Sequence, residues 1–154
     1  LHCIDLVVQN TEQIFLKEDL HMIYVGIDVA KDKHDCHIIS SNGEILCDNF
    51  QFQNSLDGFN SLMDLLTQTV GENLINVKVG LESTGHYSTN LVNYLKRQNL
   101  SVFALNPLSV NRFRKSLTLR ATKTDKSDAR YIAEKMITED SSSYLDISYY
   151  IMNF

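Results

Sequence analysis

Residues 22–29 read MIYVGIDV, a short apolar run that closes on an acid, as a central strand with a carboxylate at its end would. Working outward, residues 34–40 and 44–52 are two more strand-like runs. Ser41-Asn42-Gly43 lies between them and carries the Asn-Gly signal of a hairpin. Three consecutive antiparallel strands are expected. Residues 55–70 predict a helix, with Leu56, Phe59, Leu62, Met63 and Leu66 on one apolar face, Ser55 as its cap and Gly71 just past its end. Residues 76–81, NVKVGL, form a strand that again runs into an acid, Glu82. A second helix is expected over 86–98, with Leu91, Tyr94 and Leu95 inward, and a strand over 100–105, closed by Asn106-Pro107.

Over residues 108–119 apolar and basic side chains mingle, in a helix or an ordered arm, and 121–124 read as a connector. The last helix is expected over 125–137, with Ala129, Ile132, Ala133 and Met136 on one side. Strand, helix, strand, helix, strand after an opening meander defines an α/β chain with a mixed sheet. Residues 1–21 are acidic and weakly patterned, and read either as an N-terminal extension or as a short helix. The Ser- and Tyr-rich residues 141–154 are expected to be a tail.

With 154 residues and 44% hydrophobic content, the chain can bury a core of its own and is too apolar for a disordered segment. Its net charge of -5 argues weakly against a nucleic-acid binder, but the average hides a concentration of charge. Residues 111–135 carry Arg112, Arg114, Lys115, Arg120, Lys123, Lys126, Arg130 and Lys135 against Asp125, Asp128 and Glu134, a local charge of +5. A basic segment on an acidic body suits a polyanion, or is simply a solvated face. Three cysteines without CxxC spacing read as reduced thiols, expected in the cytoplasm. No apolar run has the length of a membrane span, and the first residues are not a signal peptide.

Asp28 and Glu82 each end a strand, and side chains just beyond strand ends converge at the functional edge of an open α/β sheet. Two carboxylates there repel unless a positive charge lies between them. Asp125 and Asp128 are three residues apart at the expected start of the last helix, a spacing that puts both on one face. Capping would account for one of them. Four acids on three elements would make an oxygen-rich site for hard cations such as Mg²⁺, with the basic segment holding phosphates beside it. His34, Cys36 and His37 invite a zinc reading, but on a strand His37 faces away from the other two. Gly85 suits the turn after Glu82. His86 reads as a helix-start or substrate-side group, and Lys31 as a solvated lysine able to touch a phosphate.

The runs YVGIDVAKDKHD (24–35), LESTGHY (81–87), LNPLSVNRF (105–113) and KTDKSDAR (123–130) resemble the DEDD transposases of the insertion-sequence family IS110, the bridge-RNA-guided recombinases. The resemblance covers residues 22–140 and implies an RNase H-like, RuvC-like domain. It sets the acidic tetrad on Asp28, Glu82, Asp125 and Asp128, both as catalytic groups and as ligands of Mg²⁺, or Mn²⁺ in its place. It further implies DNA cleavage and strand exchange in transposition, a guide RNA, a homo-oligomer assembled on DNA, and a prokaryotic cytoplasm as the setting. Arg112, Arg114, Lys115, Arg120, Lys123 and Lys126 are the expected nucleic-acid contacts. Family members continue into a C-terminal domain that supplies a nucleophilic serine. None follows residue 140, so a truncated product is expected, and neither Ser83 nor Ser127 is assigned that role. The alternative is a nucleic-acid-binding remnant without chemistry. An actin-like or sugar-kinase ATPase would need clustered glycines, which the 6 present do not form.

Overall fold

The computed structural model describes residues 21–82, 85–118 and 127–141. Expectations for the extension before residue 21, the connector over 121–124 and the tail beyond 141 lie outside them. The strands are β1 (Ile23–Asp28), β2 (Lys33–Ser40), β3 (Ile45–Gln53), β4 (Val77–Glu82) and β5 (Ser101–Leu105). The helices are α1 (Leu56–Val70), α2 (Thr89–Arg97), α3 (Pro107–Thr118) and α4 (Asp128–Ser141), with a 3₁₀ turn (Gly85–Ser88) before α2.

The strands form one five-stranded sheet in the order β3-β2-β1-β4-β5. β1 to β3 are the expected antiparallel meander, while β4 and β5 run parallel to β1. This mixed sheet with flanking helices is the RNase H-like arrangement. The β2–β3 hairpin closes as its residues require: Gly43 takes φ of 84° and its N–H donates to the Ser40 carbonyl at 2.9 Å. Between Cys36 and Ile38 the β2–β3 register slips. Asp48 and Asn49 together face His37, and Asn49 is left-handed at φ 56°, the mark of a bulge.

Alternation divides the sheet into two faces. On one, Val25, Ile27, Val79 and Leu81 pack under α1 and α2 through Leu62, Leu66, Leu91 and Leu95. On the other, Tyr24, Ile39 and Leu105 meet α3 and α4 through Val110, Ile132, Ala133 and Met136. α1 begins as expected, the Ser55 hydroxyl accepting from the Gly58 N–H. Leu56, expected inward, is instead 63% exposed, because the first residue of the helix points off its buried stripe.

The inner residues foreseen for the last helix are all buried, but that helix starts at Asp128 and not at residue 125. Ser127 stops it: its hydroxyl accepts from the Arg130 N–H at 3.2 Å, and its carbonyl accepts from Arg130 and Tyr131. No described helix is long and apolar enough to cross a membrane.

Candidate active site

The site begins with a shared tripeptide spacing. β1 carries Gly26-Ile27-Asp28 and β4 carries Gly80-Leu81-Glu82, and the two glycines are direct neighbours in the parallel register. Each acid lies two residues past its glycine and so points to the same face, the one covered by α4. A Cβ on Gly26 would stand 2.0 Å from the Ala129 carbonyl oxygen and 2.7 Å from the Ala133 nitrogen. A Cβ on Gly80 would stand 2.1 Å from the Met136 sulfur. The paired glycines form a notch that admits the α4 backbone at Gly26 and the Met136 side chain at Gly80, and Asp128, the residue before Ala129, heads the helix beside Asp28 and Glu82.

The structure therefore sets Asp28, Glu82 and Asp128 on one edge: the charge of Asp128 reaches Asp28, and the charges of Asp28 and Asp128 both reach Glu82. Burial first, then the carboxylates of Asp128 and Asp35, push the Asp28 carboxyl above its ordinary range, and Arg114 opposes them. Burial first, then Asp28, also raises Glu82, with Asp128 adding to the rise and Arg114 again opposing it. Asp35 is a member that sequence reasoning missed. It pairs with Asp28 across the antiparallel β1–β2 ladder, a register that the hairpin and the alternation of β2 together could have disclosed. Asp125 lies outside the described residues.

The loops behind the acids are tied together by Asn54. Its side-chain amide donates to the Lys31 carbonyl at 3.0 Å and to the Tyr87 carbonyl at 3.3 Å, joining the chain after β1 to the chain after β4. Gly85 turns at φ 63°, as its residue type suggested, and His86 is exposed in the 3₁₀ turn. His34 and His37 do lie on opposite faces. His34 sits against Phe52 and Phe59, whereas His37 donates from Nδ1 to Asp48 at 2.9 Å beside the bulge.

The basic segment is divided in its roles. Arg112 and Lys115 are exposed on α3. Arg114 turns to the acids: its guanidinium lies 2.8 Å from the Asp128 carboxylate and 5.4 Å from the centre of the Tyr131 ring. Arg130 and Lys135 pair with Glu134 and Glu139 within α4. Arg120, Lys123 and Lys126 lie outside the described residues.

Carboxylate oxygen is the donor that Mg²⁺ and Mn²⁺ take, and mutual repulsion among these acids is what a divalent cation relieves. The donor chemistry of Asp28, Glu82 and Asp128 fits such an ion. Among the described residues, however, no three His, Cys, Asp or Glu side chains draw close enough to enclose one.

An RNase H-like domain with acids gathered at the carboxyl edge of its sheet is the class that this fold and site define. The chain belongs to the DEDD transposase family of IS110, whose family model, described as a transposase, matches residues 25–149. It is 31% identical over 122 residues to the mini-circle transposase candidate of IS117 from Streptomyces coelicolor, covering 79% of this chain and 28% of that protein. It is 36% identical over 110 residues to the pilin gene-inverting protein of Moraxella bovis, covering 71% of this chain and 33% of the relative. The chain thus spans about a third of the length of these relatives. A solved structure of Thermus thermophilus RuvC with a Holliday junction substrate is similar at a TM-score of 0.44 and 15% identity, covering 77% of this chain and 92% of that one.

Proposed function

We propose that this chain carries the divalent-metal-dependent DNA-cleaving and strand-exchange site of a transposase, with Asp28, Glu82, Asp125 and Asp128 as ligands of Mg²⁺ or Mn²⁺. One observation carries the reading: acids from two neighbouring parallel strands and one helix head meet on a single edge of the sheet. The relatives are named for transposition and gene inversion, both rearrangements of DNA, which supports DNA as the substrate.

A bound divalent ion would supply an activated attacking oxygen and a stabilised leaving oxygen at a phosphodiester. The protein's own residues prepare for it. Asp28 and Glu82 present oxygens from the sheet, and Asp128 presents its own from the helix above. The links from Asn54 hold the two loops in place. Arg112 and Lys115, with Arg120, Lys123 and Lys126, would grip backbone phosphates and fix the strand without reading its sequence. A guide RNA, a homo-oligomer assembled on DNA and a prokaryotic cytoplasm complete the reading.

The test is nicking of supercoiled plasmid in Mn²⁺ together with Mn²⁺ titration calorimetry. Asp28→Ala is expected to abolish nicking and to weaken Mn²⁺ binding at least about tenfold, as loss of a ligand does. Equal Mn²⁺ binding by wild type and variant would refute the reading. Salt-sensitive DNA binding without nicking would favour instead a nucleic-acid-binding role without chemistry. The pairing of Arg114 with Asp128 is the observation on that side.

A further inference from the structure

The acidic edge already contains a cation. Arg114 comes from α3, an element that contributes no carboxylate to the site, yet its guanidinium contacts Asp128 at 2.8 Å and its charge reaches Asp28 and Glu82 as well. The side chain is braced over the Tyr131 ring, one turn into α4. Both members of the pair are partly open to solvent, Arg114 at 35% and Asp128 at 48%, so the contact can break without unpacking the core. A guanidinium and a divalent ion cannot share the same carboxylate oxygen, because two cations at that separation repel strongly.

We infer that Arg114 is a displaceable internal counter-cation that competes with the divalent ion for Asp128. This rests on the metal-binding reading above. Without metal, Arg114 partly neutralises an edge where acids from three elements would otherwise repel. When metal binds, Asp128 changes partner. Arg114 is released on the same helix that exposes Arg112 and Lys115, where its planar fork suits a phosphate. Metal binding and polyanion binding are then coupled, and by linkage each strengthens the other.

The experiment uses the full 154-residue chain at low ionic strength, with Mn²⁺ followed by calorimetry and short duplex DNA by fluorescence anisotropy. Arg114→Gln leaves a shorter polar side chain and removes the charge, and is expected to bind Mn²⁺ about three- to tenfold tighter. Arg114→Lys keeps the charge but loses the planar stack on Tyr131, and should tighten Mn²⁺ binding less than Arg114→Gln does. Mn²⁺ should tighten DNA binding by the wild type, and that gain should vanish in Arg114→Gln. Unchanged or weaker Mn²⁺ binding by Arg114→Gln, with wild-type binding intact, overturns the competition and leaves the metal site standing. Equal tightening in Arg114→Gln and Arg114→Lys also overturns it, since packing and not charge would then be the cause. Mn²⁺ binding that is absent, or is indifferent to Asp28→Asn, removes the metal site itself and the competition with it.

Discussion

The two faces of the sheet are built to different tolerances. Under α1 and α2 the strands offer Val25, Ile27, Val79 and Leu81 to a layer of leucines, and the contacts are apolar but for the buried His34 against Phe52 and Phe59. Under α4 the same strands offer Tyr24, Gly26 and Asp28, then Lys78, Gly80 and Glu82, and β2 adds the buried His37. One face needs only volume, while the other needs particular atoms at particular heights. The first seals the domain and the second aims the acids.

Gly26→Val should break this contrast most violently. The new side chain meets main-chain atoms of α4, which cannot step aside alone. A loss of about 4 kcal/mol or more is expected by denaturant titration, with Mn²⁺ binding lost as α4 lifts. A normal midpoint would show that the notch does not position the helix.

Leu62→Ala, on the sealing face, should cost about 3 kcal/mol by the same measurement yet leave Mn²⁺ affinity within about twofold, because it removes volume and touches no aiming contact. A large fall in affinity would erase the distinction between the faces. Gly80→Ala sharpens it on a finer scale. Its obstacle is the flexible end of Met136 and not backbone, so about 1 kcal/mol is expected, well below Gly26→Val.

Smaller still are the effects of pH. The Asp28 carboxyl titrates higher folded than unfolded, so the folded chain holds the proton longer. Stability therefore falls as pH rises from the ordinary carboxylate range through the folded value, and Asp28→Asn should flatten that part of a Tm-against-pH curve while raising Tm slightly at neutral pH. His37 is depressed, by burial first. It therefore works the other way: stability is lost as pH falls from the ordinary 6.5 toward the folded value, where the buried ring must take a charge. His37→Gln should soften this acid limb, and an unchanged slope would show that Asp48 and Glu134 beside the ring already compensate its charge against the opposing Arg130.

Much of this was legible in the chain. The meander, the Asn-Gly turn, the two crossover helices and the strands ending in Asp28 and Glu82 follow from local periodicity and turn chemistry, and each appears within a few residues of its expected bounds. What escaped depends on distance in space. Nothing in the sequence around Arg114 says that it turns toward Asp128, since both choices suit an amphipathic helix. Asp35 becomes a neighbour of Asp28 only once the hairpin register is known. The start of the last helix was misplaced because Asp125, Ser127 and Asp128 are all good caps, and the side-chain bond that selects Ser127 is made only in the fold.

The repeated glycine-any-acid triplet amounts to a ruler two residues long, stamped on the central strand and on its parallel neighbour. Such a gauge is unforgiving of insertion. A single residue added between Gly26 and Asp28 would swing the carboxylate toward the greasy side of the sheet, while a change of similar size in the loops on the opposite rim would leave it untouched.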